Sequence, residues 1–310
     1  MTLEVIEPGL LTLVQAAPYR GDRHFGMPLA GAADPLAMAL ANWLAGNAAE
    51  AAALETAYAP VVLKAHSNIA VGIYGAAIEV EINIAAFSAA QTHFLRRGDI
   101  LRIPPPVGGC RTYIAVQGGL SSHGVLKAAS TYLPARLGGY DGMVLPKGAI
   151  LETSAQPLAE PRKLPAGYQL CYGRDFRLRI APAPENAWVN MDGILDEGRV
   201  IGRRADRIGL ELEGTPLELL YDEPIDSSAV FPGTIQCPPS GIPFLLGPDA
   251  QTTGGYPRIA HVIRADRHLI GQLRPGARVR FQRIEPAEAQ RLYRSKIALI
   301  RQLQPEFRLD

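Results

Sequence analysis

The side chains best suited to bind a small polar ligand lie between residues 231 and 260. Here Gln251, Thr252 and Thr253 precede Gly254 and Gly255. Glycine lets backbone N–H groups approach a ligand without a Cβ atom in the way, so such a loop suits a carboxylate, an amide or a phosphate. The same residues also fit a tight turn between two strands, and spacing alone does not separate these interpretations.

Neighbouring residues extend this candidate substrate-binding set. Gln236 and Tyr256 add hydrogen-bonding groups on either side of the loop. Asp249 with Gln251 could orient a water molecule or an amide nitrogen, whereas the alternative for Asp249 is an Asx turn. Arg258 could neutralise an oxyanion or hold a substrate carboxylate, and its alternative is a surface ion pair.

Two carboxylates of the first half complete the candidate catalytic residues, together with Arg258. Asp34 directly precedes Pro35, which makes it a helix N-cap as well as a candidate catalytic group, and the two roles are compatible. Glu55 follows the apolar run 51–54, so it could project from a buried edge and serve as a general acid or base. A solvated loop glutamate is the alternative.

Two helices are predicted. The first lies within 34–47, with Asp34 as N-cap, Pro35 at its first position and Gly46 as a stop. Its apolar stripe consists of Leu36, Leu40, Trp43 and Leu44. The second runs from 285 to about 304, and its buried face consists of Ala289, Tyr293, Ile297 and Ile300.

Short strands are predicted for most of the rest, because 31 glycines and 26 prolines interrupt the chain too often for a helical protein. The clearest strand is 77–83, in which Ile78, Val80 and Ile82 share one face. Further candidates are 11–15, 68–74, 100–103, 112–117, 234–237, 243–246, 258–263 and 278–283. Their spacing is typical of barrels or sandwiches.

The length of 310 residues favours two hydrophobic cores. The segment 152–167 has neither helical nor strand periodicity and is rich in proline, alanine and charge, as in a linker. We therefore predict an N-terminal domain at 1–160 and a C-terminal domain at 161–310.

Composition and missing motifs exclude several classes of protein. With 31 basic and 30 acidic side chains, and without a basic tract, nucleic acid is not an expected partner. An acidic N-terminal stretch and the absence of a long apolar run predict a cytoplasmic protein that neither enters a membrane nor carries a signal peptide. Three widely spaced cysteines are expected to be buried thiols, and the dispersed histidines predict no metal site.

The common phosphate-binding and hydrolase motifs, GxxxxGK[ST], HExxH, CxxC and GxSxG, are absent. A bound nucleotide would therefore be held in another way or by a partner. None of the lysines has the Met-Lys-Met setting of a biotinylated lysine, so no covalent biotin is expected on this chain. These lysines are Lys64, Lys127, Lys147, Lys163 and Lys296.

The run TIQCPPSGIPFLL followed by DAQTTGGYPRIA resembles the signature of the biotin-dependent carboxyltransferase family, also called allophanate hydrolase subunit 2. The resemblance continues in ADRIGLELEG at 205–214, in GMPLAGAADPLAMALANWLAGN at 26–47, in LET at 54–56 and in TYIAVQGGL at 112–120. It implies a mainly β fold of two tandem cyclophilin-like β-barrel domains, with a few short helices and a C-terminal helix.

The resemblance also implies a function. Members of the family include the C-type subunit of ATP-dependent 5-oxoprolinase, the carboxyltransferase domain of urea carboxylase and an antagonist of a sporulation-kinase inhibitor. We therefore expect an amidohydrolase subunit that converts 5-oxo-L-proline to L-glutamate, with ATP as cofactor and an allophanate hydrolase subunit 1-like partner. The alternatives are a regulatory or binding subunit without catalysis, and a carboxyltransferase acting on urea-like amides.

The first half departs from the family pattern. The family motif VQDxGRxG appears as VQAAPYRG at 14–21, in which the Asp, one Gly and the Arg are replaced and Arg20 lies one position beyond the family Arg. The family segment GSxSTD…GG(F/Y)xGR appears as KAASTY at 127–132 followed by GGYDGM at 138–143, so Met143 replaces an arginine. This change removes a forked donor able to hold a carboxylate, and it motivates the regulatory alternative.

Overall fold

The computed structural model describes residues 1–58, 60–122, 124–126, 128–153, 161–220 and 225–309. Strands make up most of its regular structure, so the predicted mainly β fold class is confirmed. The chain forms two compact units. The first consists of Met1–Pro18, Asp34–Tyr172 and Leu299–Arg308, and the second of Tyr19–Ala33, Gly173–Ala298 and Leu309.

This division differs from the one expected at 160/161. Residues 154–160 of the predicted linker lie outside the described residues. After them the chain remains packed on the first unit, because Arg162 Nη1 donates to Trp43 O at 2.7 Å and Leu164 is buried. Segments without helical or strand periodicity can pack as irregular chain, so periodicity did not reveal where the first unit ends.

The strands of the first unit are β1 (Thr2–Glu7), β2 (Leu11–Gln15), β3 (Ala53–Ala57), β4 (Val61–Ala65), β5 (Ile69–Gly75), β6 (Glu79–Ile82), β7 (Ala85–Ser88), β8 (Thr92–Leu95), β9 (Ile100–Ile103), β10 (Arg111–Val116) and β11 (Ile150–Glu152). One sheet has the order β11-β1-β4-β9-β6-β7 and the other β2-β3-β10-β5-β8. Both contribute to one core, which includes Val5, Leu63, Val71 and Ile114.

Helix α1 (Pro35–Ala45) packs on β5 and β10. Its predicted signals are confirmed, since Asp34 Oδ1 accepts from Ala37 N at 2.9 Å and Gly46 ends the helix in the left-handed conformation. The helix comes very close to β5, where a Cβ atom on Gly72 would lie 2.2 Å from Ala41 O. Glycine at this position therefore allows the helix to seat on the sheet.

The strands of the second unit are β12 (Asp175–Pro182), β13 (Arg199–Ala205), β14 (Gly209–Glu213), β15 (Ser228–Ala229), β16 (Thr234–Gln236), β17 (Phe244–Leu246), β18 (Thr253–Gly254), β19 (Arg258–Val262) and β20 (Arg278–Arg283). A closed barrel forms in the order β12-β19-β16-β17-β14-β13-β20, and β15 pairs with β18 beside it. The barrel expected for this half is thus confirmed.

The remaining helices are α2 (Asp192–Leu195), α3 (Arg267–Ile270) and α4 (Pro286–Arg301). Helix α4 matches the second predicted helix, and Ile297 and Ile300 of its expected apolar face are buried. No helix in the described part of the chain is long and apolar enough to cross a membrane.

The predicted strand 77–83 needs one correction. Val80 is fully buried as expected, but Ile78 is 66% exposed because it lies in a bend before β6 begins at Glu79. Alternation predicted the right face for the paired residues and carried the pattern too far into the preceding bend.

Candidate functional site

A cleft of about 870 Å³ opens on the barrel of the second unit. The residues that line it include Arg203, Arg204, Asp206, Gln236, Phe244, Gln251 and Tyr256. Three of these, Gln236, Gln251 and Tyr256, belong to the predicted substrate-binding set. Gln236 lies on β16, whereas Gln251 and Tyr256 lie in the irregular chain on either side of β18.

Gln236 is the most firmly held of these side chains. It is 2% exposed, and its Nε2 donates to Tyr256 O at 3.0 Å. Gly254 lies directly against it, since a Cβ atom there would be 2.8 Å from Gln236 Nε2. The glycine pair predicted to admit a ligand therefore has another function at Gly254, which is to leave room for the glutamine amide.

This contact separates the two glycines experimentally. We expect Gly254→Ala to displace the Gln236 side chain and to destabilise the second unit by about 1–3 kcal/mol through overpacking. Gly255→Ala is the matched control, because a Cβ atom there meets Ile225 O at an ordinary 3.7 Å. Thermal unfolding of both variants tests this, and equal melting temperatures would contradict the assigned contact.

Arg203 and Arg204, two arginines at the cleft that the sequence analysis did not single out, differ in whether they form an ion pair. Arg204 Nε and Nη2 donate to the two carboxylate oxygens of Glu211. The Arg204 guanidinium also lies 5.1 Å from the ring centroid of Phe244. The hydrogen bond from Arg204 lowers the pKa of Glu211. Arg203 is exposed and has no ion-pair partner among the described residues, so its guanidinium is available to an anionic ligand.

Arg258, predicted to be catalytic, forms an ion pair with Glu185. Its Nε and Nη2 donate to the Glu185 carboxylate at 2.8 and 2.7 Å, and Nη1 donates to Ala229 O at 3.0 Å. The hydrogen bond from Arg258 lowers the pKa of Glu185. The ion-pair alternative describes these contacts, although the pair is largely buried rather than on the surface.

Other residues of the predicted loop form backbone hydrogen bonds and strand pairs with the protein itself. Thr253 and Gly254 form β18 and pair with Ala229 and Ser228 of β15, and Thr252 O accepts from Val230 N at 3.1 Å. Thr252, Thr253 and Gly255 are not among the residues that line the cleft. Their expected role in substrate binding stays a prediction.

Asp249 lies behind the cleft in a buried ion pair. Both of its carboxylate oxygens accept from Arg207, with Nε at 2.8 Å and Nη2 at 2.9 Å. Arg207 Nη2 also donates to Gly31 O at 2.5 Å, which ties the segment 19–33 to the barrel of the same unit. Asp249 therefore orients Arg207 in this structure, and it does not line the cleft.

Asp34 and Glu55 meet in one buried hydrogen-bond network within the first unit. Glu55 on β3 lies directly opposite Tyr113 on β10, and Tyr113 Oη donates to Glu55 Oε2 at 2.7 Å. The same Oη accepts from Asp34 N at 2.7 Å. Arg111 Nε donates to Glu55 Oε1 at 3.2 Å, and Tyr172 Oη donates to Asp34 Oδ2 at 2.8 Å.

The hydroxyl groups of the two tyrosines in this network remain protonated. Burial raises the pKa of Tyr113 well above its ordinary value, and burial followed by the charge of Asp34 does the same for Tyr172. Both hydroxyls are therefore donors at neutral pH, in agreement with the hydrogen bonds from Tyr113 to Glu55 and from Tyr172 to Asp34. The solvated-loop alternative for Glu55 is wrong, since its side chain is 2% exposed.

The two motifs that depart from the family pattern pack against each other. Ser130 Oγ donates to Ala16 O at 2.8 Å, and Gln15 Nε2 donates to Thr131 O at 3.2 Å. Gln15 Oε1 is buried and has no hydrogen-bond partner among the described residues. Met143, which replaces the family arginine, is 44% exposed. The segments 15–16 and 130–131 of these two motifs thus meet at one place in the first unit.

Cysteines and candidate metal ligands complete the picture. Cys110 and Cys237 are buried as expected, but Cys171 is exposed, near the end of the segment Asp34–Tyr172 of the first unit. In the described ranges, no group of three or more His, Cys, Asp or Glu side chains could hold a metal ion.

His261 on β19 makes stability depend on pH. Burial lowers its pKa to about 4 from an ordinary 6.5, and the charges of Arg267 and Arg258 act in the same direction. The unfolded chain therefore binds more protons between these values, so stability is complete above pH 6.5 and falls toward pH 4. We expect this histidine to account for a loss of about 2–3 kcal/mol over that window.

Urea denaturation of the wild type and of His261→Gln at several pH values between 4 and 7 tests this expectation. The wild type should lose stability more steeply on acidification, by at most about 1.4 kcal/mol per pH unit relative to the variant. Parallel curves would show that His261 does not titrate differently in the folded and unfolded chains.

Comparison with known proteins defines the class to which this fold and cleft belong. The family profile described as carboxyltransferase domain, subdomain A and B, matches residues 25–283. The chain belongs to this family, and the resemblance drawn from its motifs is confirmed.

Particular relatives are similar over nearly the whole chain. The C-type subunit of 5-oxoprolinase from Escherichia coli K12 is 31% identical over 290 residues, which cover 93% of each protein. The corresponding C-type subunit of 5-oxoprolinase from Haemophilus influenzae is 32% identical, and the match covers 94% of each protein.

Solved structures share the fold of this chain. The crystal structure of TTHA0988 has a TM-score of 0.82 and 34% identity, and the match covers 91% of this chain and 55% of that one. The Kluyveromyces lactis urea amidolyase structure has a TM-score of 0.91 over 97% of this chain and 20% of that one. At 23% identity, this second likeness shows the fold alone.

Proposed function

We propose that this chain is the C-type subunit of an ATP-dependent 5-oxoprolinase and works with an allophanate hydrolase subunit 1-like partner. The complex would convert 5-oxo-L-proline to L-glutamate. The observation that carries the proposal is the similarity to two proteins named as C-type subunits of 5-oxoprolinase, at 31% and 32% identity over more than nine tenths of each chain.

The cleft on the barrel supports the proposal chemically. The substrate carries a carboxylate and a lactam, whose N–H donates and whose C=O accepts hydrogen bonds. We propose that Arg203 binds the carboxylate, since guanidinium and carboxylate groups form charge-assisted, forked pairs. Gln236, Gln251 and Tyr256 offer donors and acceptors to the lactam.

The reaction breaks the lactam C–N bond and adds water, which gives an amine and a new carboxylate. Amide resonance makes this bond stable, so activation of the carbonyl by ATP is a reasonable requirement. The chain lacks the GxxxxGK[ST] loop. The partner is therefore the part of the complex that we propose to hold most of the nucleotide.

The test is glutamate release from 5-oxoproline by this chain co-purified with its partner, with and without ATP. The Escherichia coli 5-oxoprolinase complex serves as the positive control. ATP-dependent glutamate is the expected result. A stable, folded complex that yields none, while the control is active, would overturn the proposal.

Arg203 provides a sharper test of the cleft. We expect Arg203→Ala to raise KM for 5-oxoproline about tenfold to a hundredfold, because a charge-assisted contact contributes about 1.5–3 kcal/mol. Arg204→Ala is the matched control, since it removes the same charge from the same cleft but its guanidinium is already bound to Glu211. Equal changes in KM would show general electrostatics rather than a specific contact.

The regulatory alternative rests on the first unit. Met143 occupies the position of the family arginine, and it is the changed residue most accessible to a ligand. A complex that binds the partner but turns over neither 5-oxoproline nor a urea-like amide would favour this alternative. Turnover sensitive to avidin would instead favour carboxyl transfer from a separate biotinylated protein.

A further inference from the structure

Three arginines lie side by side on the outer wall of the second-unit barrel. Arg177 on β12 and Arg278 and Arg280 on β20 line a concavity of about 430 Å³, together with Asp175 and Phe176. The two strands are parallel neighbours, and their register places Arg177 opposite Arg280 and Asp175 opposite Arg278. Adjacent strands are about 4.8 Å apart, so these side chains leave the sheet from neighbouring positions.

The charge of this cluster is not balanced within the described part of the chain. All three arginines are exposed, and none has an ion-pair partner there. Asp175 is the carboxylate that shares the concavity, so three positive charges and one negative charge leave a net charge of two. In contrast, Arg179, which follows Arg177 on the same face of β12, donates to Asp266 through its Nε and its backbone N.

Like charges on directly opposed strand positions destabilise a sheet. Several other arginines of this unit are paired with carboxylates, as in the Arg207–Asp249 and Arg258–Glu185 pairs. An uncompensated cluster around a concavity is the arrangement expected when the missing negative charge comes from a ligand.

We propose that this concavity binds a compact, phosphate-class anion with at least two negative charges. Planar guanidinium forks match phosphate oxygens in pairs, and three of them surround the space. Asp175 ends the positive surface on one side, which favours a compact anion over an extended acidic chain. The site shares no lining residue with the cleft, and its existence does not depend on the proposed 5-oxoprolinase function.

Isothermal titration calorimetry of the whole chain with pyrophosphate at low ionic strength tests the site. The variant with both Arg177→Gln and Arg280→Gln should bind at least about tenfold more weakly than the wild type. The matched control carries Arg291→Gln and Arg294→Gln, which remove the same charge from exposed positions on α4. Its affinity should stay within about twofold of the wild type.

The affinity for ATP, compared with that for pyrophosphate, distinguishes a nucleotide from a free phosphate as the source of the anion. If ATP binds no more tightly than pyrophosphate, the phosphates alone are recognised; if it binds more tightly, the ligand is a nucleotide, and both results support the site. The proposal is overturned if the wild type does not bind pyrophosphate, or if the control variant weakens as much as the cluster variant. Tighter binding of a polyglutamate peptide than of pyrophosphate would also overturn it.

Discussion

Replacing Arg207 with methionine is expected to lower the free energy of unfolding of the second unit by about 3–5 kcal/mol. Arg207 and Asp249 are 4% and 2% exposed, and the two hydrogen bonds between them are 2.8 and 2.9 Å long. Removing the arginine leaves a buried carboxylate without its principal partner. The bond from Arg207 to Gly31 O is lost as well.

The measurement is urea denaturation followed by tryptophan fluorescence. The chain has two tryptophans, so a Trp43→Phe background leaves Trp188 as the reporter of the second unit. Adding Asp249→Leu to the arginine variant should restore most of the lost stability, since an apolar pair of similar volume replaces a buried ion pair well. A double variant as unstable as the single one would show that the cost is not an unpaired charge.

The second large effect is expected at Glu55. Glu55→Ala should destabilise the first unit by about 3–5 kcal/mol. The substitution removes the carboxylate that accepts from the buried Arg111 Nε and from Tyr113 Oη. The readout is urea denaturation in a Trp188→Phe background, in which Trp43 reports the first unit. The control is Glu81→Ala, whose partner Arg102 is about half exposed and 3.7 Å away, and it should change stability much less.

A second substitution at the same position separates positioning from proton transfer. Glu55→Gln keeps the shape of the side chain, so Gln could accept from Arg111 and donate to Tyr113 Oη. We expect this variant to fold and to release glutamate in the partner complex, because both Glu55 oxygens are engaged by Arg111 and Tyr113. A loss of about a hundredfold or more in kcat with unchanged stability would instead show general acid–base catalysis by Glu55.

These variants bear directly on the candidate site. The residues predicted as catalytic, Asp34, Glu55 and Arg258, all have protein partners for their charged groups. They therefore organise their surroundings whether or not they also act on a substrate. The cleft on the barrel, in contrast, combines a buried glutamine with an exposed arginine, and three of the residues predicted to bind substrate line it, Gln236, Gln251 and Tyr256.

Local signals in the sequence determined the regular elements. Helix α1 follows from Asp34, Pro35 and Gly46, and the strands Leu11–Gln15, Ile100–Ile103 and Arg278–Arg283 have the predicted bounds. These features depend on caps, turn residues and period-two alternation, which act over a few neighbouring residues. The long motifs at 231–260 also identified the family without any knowledge of the fold.

Only the tertiary structure decided which distant side chains meet. Arg258 finds Glu185, 73 residues away in sequence, and Arg177 lies opposite Arg280 because β12 and β20 close the barrel in one parallel register. Strand order and register arise from how whole faces pack, and local patterns do not contain them. For this reason the sequence predicted the loop and the fold class of this protein, whereas its tertiary structure decided which charges are paired and which remain available to a ligand.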